Sequence, residues 1–407
     1  AMAGPTPVSS LLHSSTMVVA GVFLVARIYP VFWEGFDIGQ GAVSFNSVIG
    51  AITIVIAALL AFVQDDRKKV IAYSTVSQLG YMMLGLGTGA WLPAVFHIFT
   101  HAFFKCALFL CAGSISHSGS HHSFDMKKDL GGLRKKMPVT FAAWIVSTLA
   151  LTGVFPFAGF WSKDEIIDNV GNNGYTFLMW VGLAGAALTA MYMTRATYLT
   201  FFGEPRGAAA GEHHDDEAHS EEHEMEVATV GAPEPRSLSA AANAHDDHHD
   251  DHGPHESGPL LLVPIVILAF LAIVAGFANP TPLASRFGEG VELIKKYVEP
   301  RPEAVVVEDF LASGPGDTVI LVDAPAAAPA AEEGGEEGGH SSGCGFEAPE
   351  AGTVCFFPAV SHAEPKFAKI MLSLGIVGAA YAVAIAFNVA FYGRRDKRLV
   401  GLTERNK

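Results

Sequence analysis

Apolar residues run through this chain in long, almost uncharged blocks, unlike the alternating or one-faced patterns of strands and helices that border water. Eight blocks stand out, at about 8–29, 46–64, 70–90, 92–115, 138–170, 174–202, 258–278 and 367–392. A hydrocarbon core roughly 30 Å thick needs about 20 helical residues to cross it, so each block is long enough for one transmembrane helix. The block at 138–170 is too long for a single crossing and is interrupted by VFPFAGF at 154–160. There Pro156 removes a backbone donor and Gly159 relaxes the chain, which predicts a broken helix. The fold class that follows is an all-α integral membrane protein of about eight transmembrane helices, one of them broken, with two long low-complexity loops.

Those loops divide the chain. Residues 1–202 form a transmembrane core, 203–257 an acidic His-rich loop, 258–278 one further helix, 279–366 a second acidic loop, and 367–407 the last helix with a basic tail. The net charge of -15 belongs to the loops: 203–257 carries 15 acidic against 2 basic residues, and 279–366 carries 15 against 5. The remainder is basic, so neither a nucleic-acid binder nor an ordinary acidic enzyme fits. Segments of this composition cannot bury a core and are expected to be disordered. Arg67, Lys68 and Lys69, then Lys127, Lys128, Arg134, Lys135 and Lys136, then Arg394, Arg395, Lys397 and Arg398 all fall on one side if every helix crosses once. The positive-inside rule makes that side cytoplasmic, with the His-rich loop inside and 279–366 outside. Cys344 and Cys355 then lie in the outer loop, where oxidation is allowed, and are expected to form a disulfide, whereas Cys106 and Cys111 are apolar fillers within a helix. The chain opens AMAGPTP with no initiator Met and no basic region ahead of its first apolar block. This reads as an internal fragment rather than a signal peptide.

A charge deep in a bilayer costs several kcal/mol and by default marks a pathway or a buried partner. On 92–115, His97, His101 and Lys105 are spaced i, i+4, i+8 and project from nearly one face. Counted from the outer end, His101 lies about 14 Å deep and Lys105 about 20 Å. Lys163 follows the break, and His13 sits beside Ser14, Ser15 and Thr16 in the first block. Imidazole titrates near neutrality and a desolvated amine releases its proton more readily, so the set suits proton transfer through intervening water. Ser74, Gln78 and Tyr81, at helical spacing on 70–90, extend a candidate hydrated path. Each has a plainer reading: His13 as a hydrogen bond between helices, Lys163 as a snorkelling residue beside Asp164 and Glu165, Tyr81 as packing. His97 and His101 also have the spacing of metal ligands, and nine histidines in the inner loop would suit a divalent-metal transporter. Against this, Lys105 stands one turn away, where its charge repels a dication, and no carboxylate lies near the pair on the helices. No metal site is expected.

Four stretches, AMAGPTPVSSLLHSSTMV (1–18), DRKKVIAYSTVSQLGYM (66–82), FHIFTHAFFKCALFL (96–110) and GFWSKDE (159–165), together resemble the antiporter-like subunits of respiratory complex I, the bacterial NADH:quinone oxidoreductase. They are spread over about 200 residues in the family's order. The resemblance implies a proton-translocating subunit of the bacterial inner membrane that binds no cofactor itself, in a complex that uses NADH and quinone. It implies other complex I membrane subunits and the lipid bilayer as partners, and no nucleic acid. It carries His97, His101, Lys105 and His13 over to a central hydrated axis, and Lys163 to the route toward the outer face. The family's earlier Glu–Lys pair and its long lateral helix have no counterpart here, so this chain is expected to hold half a channel. The large subunit of a multisubunit sodium/proton antiporter, or a membrane hydrogenase subunit, would show nearly the same helices.

Overall fold

The computed structural model describes residues 2, 4–29, 31–32, 37–38, 43–120, 123–210, 253–279, 298, 304–306, 353–355 and 367–390. The first apolar block divides where a single helix is expected. It forms α1 (Thr6–Ser14) and α2 (Met17–Arg27), broken at Ser15 and Thr16. Hydroxyls cause the break: Ser14 Oγ donates to the Ser10 carbonyl and Thr16 Oγ1 to the Leu11 carbonyl at 2.7 Å, diverting backbone acceptors from the helix ladder. Together the two pieces still make one crossing of 22 residues.

The other helices follow the apolar blocks. They are α3 (Phe45–Val63), α4 (Arg67–Gly87), α5 (Trp91–Gly119), α6 (Pro138–Thr152), α7 (Ala158–Asn172), α8 (Thr176–Phe201), α9 (Pro259–Val274) and α10 (Phe367–Asn388). Among the described residues, six spans are long and apolar enough to cross a membrane. The α4 helix is absent from those six because Arg67, Lys68, Lys69, Ser74, Thr75, Ser77 and Gln78 make it polar, although its 21 residues would reach about 30 Å. The α6–α7 pair is absent because it is interrupted, as expected, between Thr152 and Ala158. Apolar side chains such as Ile52, Ile56, Phe177, Leu260 and Phe270 face outward, as contact with lipid requires, while α5 is the most enclosed of the spans. Two short antiparallel strand pairs, Asp37–Ile38 with Val43–Ser44 and Ala304–Val306 with Thr353–Cys355, lie in loops on the expected outer side.

Helices α3 and α4 pack through glycines. A Cβ on Gly87 would lie 2.3 Å from the Ser47 amide nitrogen, a distance no side chain tolerates. Asp66 caps α4 by accepting from the amides of Lys68 (2.8 Å) and Lys69 (3.1 Å).

Asp65 ties together the end of the bundle expected to face inward. It takes Lys127 Nζ at 2.9 Å and Arg195 Nη2 at 2.5 Å, and Arg195 also donates to the Gln64 carbonyl at 2.7 Å. The 64–69 turn, the segment after α5 and the end of α8 therefore share one end of the bundle, which holds the first two basic clusters; Arg394 to Arg398 lie outside the described residues. Burial works against the Asp65 carboxylate, but the hydrogen bonds from Lys127 and Arg195 outweigh it and hold the carboxyl below its usual range. A carboxyl lowered in the folded state stabilises above its unfolded pKa, about 3.9, and loses that contribution as pH falls through the lower folded value. Asp65→Asn should cost about 1 kcal/mol at neutral pH, a figure held down by the exposure of Asp65, and nothing once pH is below the lowered folded value. Thermal unfolding in detergent at the two pH values checks this, and equal losses at both would exclude the ion pair.

Most of both acidic loops, including Cys344 and eight of the nine inner-loop histidines, lies outside the described residues, as do the expected disorder and the expected Cys344–Cys355 bridge. The two roots of the inner loop are packed. Arg206 donates to the carbonyls of Met126, Leu130 and Leu199, and Glu256 accepts from the amides of Val139 (2.9 Å) and Thr140 (3.3 Å) at the start of α6. The transmembrane framework thus extends a few residues into 203–257 at each end.

Candidate functional site

The α5 stripe is fully buried. His97, His101 and Lys105 have no exposed surface, and the two imidazole centroids are 6.1 Å apart. Phe104 sits against both rings, at 6.1 and 5.4 Å. Each ladder residue has a polar neighbour from a different helix. His97 Nδ1 meets Ser162 Oγ of α7 at 2.8 Å and its Nε2 meets Gln78 Oε1 of α4 at 3.1 Å. His101 Nδ1 lies 2.9 Å from the carbonyl oxygen of Ser14. Lys105 Nζ donates to Ser74 Oγ and, at 3.3 Å, to the Ile71 carbonyl.

The helix breaks supply two of these contacts. Ser14 ends α1, and a carbonyl at a helix terminus has no acceptor role within the helix, so it is free for His101. On the other side, Gly153 takes a left-handed turn (φ 81°) after α6, and α7 starts close against α6. A Cβ on Gly159 would lie 1.8 Å from the Ala150 carbonyl oxygen. This close approach brings Ser162 to His97, and Ser162 also pairs with Thr100 at 2.8 Å.

Lys163, on the next residue of α7, is buried with its Nζ 4.4 Å above the Tyr81 ring, a cation–π contact. The Tyr81 hydroxyl donates to the Gly182 carbonyl at 2.6 Å. Among the described residues, Lys163 Nζ and His101 Nε2 have no hydrogen-bond partner. His13 is half-buried, with its ring 5.8 Å from Phe109, its Nδ1 likewise without a partner, and Lys105 within electrostatic reach.

The structure therefore gathers all five candidate ionisable residues along one polar seam. Ser74, Gln78 and Tyr81 each stand beside one of them: Lys105, His97 and Lys163 respectively. Ser162, Thr100 and the Ser14 carbonyl were not singled out from the sequence. Ser162 and Thr100 immediately precede Lys163 and His101, which was the available signal; the Ser14 contact depends on a helix break that the apolar pattern conceals. Tyr192 of α8, buried and close to Ser74, was also missed. Both ring nitrogens of His97 are engaged, by Ser162 of α7 and Gln78 of α4.

A bundle of apolar helices enclosing a seam of lysine, histidine and hydroxyl groups, with two of its helices broken at that seam, defines a multi-pass membrane protein with a polar interior. The sequence profile of the family described as NADH:quinone oxidoreductase/Mrp antiporter, TM matches residues 1–189 of this chain. Among curated relatives, it is 38% identical over 338 residues to NAD(P)H-quinone oxidoreductase chain 5 of Synechocystis sp., an alignment covering 81% of this chain and 48% of that protein. It is 41% identical over 287 residues to NADH-quinone oxidoreductase subunit L of Rhodobacter capsulatus, covering 68% and 34%. The chain thus spans half or less of the length of these relatives. A solved structure of an Mrp complex from Dietzia sp. shares the fold, with a TM-score of 0.54 at 24% identity over 71% of this chain and 52% of the Mrp chain.

Proposed function

We propose that this chain forms part of a proton-translocating membrane subunit of an NADH:quinone oxidoreductase in a bacterial cell membrane. The observation that carries the reading is the buried run of Lys163, His97, His101 and Lys105, each beside a hydroxyl, amide, ring or carbonyl from a neighbouring helix. Such groups are expensive in a membrane core, and their chemistry is that of taking up and releasing protons. NADH and quinone belong to other subunits of the complex, and the partners are neighbouring antiporter-like membrane subunits and the bilayer. The names of the relatives at 38–41% identity favour this over a sodium/proton antiporter subunit, whose structural likeness extends to the fold alone.

Lys163 is assigned to the outer half of the route because it follows the helix break. In the full-length subunit within the assembled complex, Lys163→Ala should assemble normally and translocate fewer protons per NADH oxidised. Proton uptake measured with a pH-sensitive dye in proteoliposomes tests this. Poor assembly with normal translocation per assembled complex would make the residue a packing element.

A further inference from the structure

His97, His101 and Lys105 each meet an oxygen atom of a neighbouring helix, whereas Lys163 meets a ring. Its Nζ, without a hydrogen-bond partner among the described residues, lies 4.4 Å from the centre of the Tyr81 ring. Asp164, its neighbour in the chain, has its carboxylate bonded by the Ser373 hydroxyl of α10 instead. Tyr81 is fully buried and Lys163 nearly so. The ring is anchored from behind. Its hydroxyl donates to the Gly182 carbonyl of α8 at 2.6 Å, and α8 makes room with a second glycine, since a Cβ on Gly185 would lie 2.7 Å from the Tyr81 hydroxyl oxygen. The lysine stem runs past the helix break, where a Cβ on Gly153 would lie 3.7 Å from Lys163 Cδ. One turn earlier on the same face of α4, Gln78 meets His97 at 3.1 Å. Helix α4 thus offers an amide to the histidine and a ring to the lysine.

We propose that Tyr81 is the positioning residue of Lys163, and that its ring holds the lysine only while the lysine is charged. The face of an aromatic ring carries negative charge density that attracts an ammonium, most strongly where water is excluded. A neutral amine feels no such attraction, so the hold lapses when the proton leaves and the stem is free to turn away. A carboxylate in the same place would grip the ammonium as an ion pair, but it would also be able to take up the proton. The ring face cannot be protonated. It therefore keeps the cation in place without competing for what the cation carries. Because the bond from the Tyr81 hydroxyl to Gly182 fixes the ring, the lysine is the part that moves.

This inference rests on the translocation reading, and its test separates the two. The full-length subunit, in the assembled complex in proteoliposomes driven by NADH and a soluble quinone, is assayed for protons moved per NADH oxidised, normalised to assembled complex. Tyr81→Phe, which keeps the ring face, should hold the parent ratio, and Tyr81→Leu should lose this subunit's share of the protons. Phenylalanines bearing progressively more ring fluorines, introduced in place of Tyr81, keep the shape of the ring while draining charge from its face. The ratio should fall stepwise with fluorine content, whereas a ring that only fills space would leave it level. If the fluorinated series stays level with Tyr81→Phe while Lys163→Ala loses translocation, the ring assignment falls and the translocation reading stands. If Lys163→Ala also translocates normally, both fall. A Tyr81→Phe subunit that fails to assemble, or assembles and does not translocate, would put the role in the hydroxyl bond to Gly182 and would also overturn the ring assignment.

Discussion

Lys105→Ala, placed in a full-length subunit within the complex, is expected to abolish proton translocation by that subunit. The residue is fully buried, and among the described residues its ammonium is met by Ser74 Oγ and the Ile71 carbonyl, neither of which is a counter-charge. A buried amine beside a hydroxyl that can both give and receive can pass a proton on, which is the property a central carrier needs. Alanine removes the carrier and leaves an apolar side chain on a helix that already has Phe104, Leu108 and Phe109 around it, so assembly should persist. Lys105→Arg separates charge from proton release: guanidinium keeps the charge and does not deprotonate, so it should fail as alanine does. The measurement is dye-detected acidification or alkalinisation per NADH oxidised, normalised to assembled complex. Parent-level translocation in Lys105→Ala would leave the buried lysine as packing and remove the centre of the proposed route.

The largest expected loss of stability is at Gly159. The missing Cβ there is what lets α7 begin against α6, since the built atom would lie 1.8 Å from the Ala150 carbonyl oxygen, a backbone atom that cannot swing aside. Gly159→Ala should cost about 3 kcal/mol or more, at the upper end of what overpacking does in a well-filled interior. The displacement would also carry Ser162 away from His97 and Thr100, so any complex that still forms should translocate poorly. Thermal unfolding in detergent, together with the amount of assembled complex, checks the first part. A Gly159→Ala protein as stable as the parent would mean that the close approach at the break does not hold the helices in place.

The sequence was most legible where one physical signal dominated. Uninterrupted apolar length gave α3, α5, α8, α9 and α10, and the combination of Pro156 and Gly159 exposed the break between α6 and α7. The stripe of His97, His101 and Lys105 could be read because helical spacing alone puts its members on one face. Features that depend on a partner remote in sequence could not be read. Lys369 meets Asp168 and Asn172 only because α10 returns to cover α7 after a long loop, and no local pattern announces such a meeting. The break between α1 and α2 was hidden for another reason. Ser14, Ser15 and Thr16 are small enough to pass in an apolar span, and what they do with their hydroxyls becomes apparent only with coordinates. Likewise, Gln78 and Ser74 could be placed on one face of α4, but not matched to His97 and Lys105.

That break between α1 and α2 has a directional consequence for His101. A backbone carbonyl oxygen accepts a hydrogen bond but does not take up a proton, so the contact with Ser14 obliges Nδ1 to carry hydrogen and leaves Nε2 as the bare nitrogen of the neutral ring. A proton that joins Nε2 has no way out through Nδ1 and must depart by the atom it arrived on, unless the imidazole turns over and gives up the Ser14 bond. His97 is pinned in the same way at its other nitrogen, since its Nε2 faces the Gln78 amide oxygen, which only accepts, while its Nδ1 faces the Ser162 hydroxyl, which can both give and receive. Each imidazole of the pair thus has one nitrogen at which a proton can come and go, Nδ1 in His97 and Nε2 in His101.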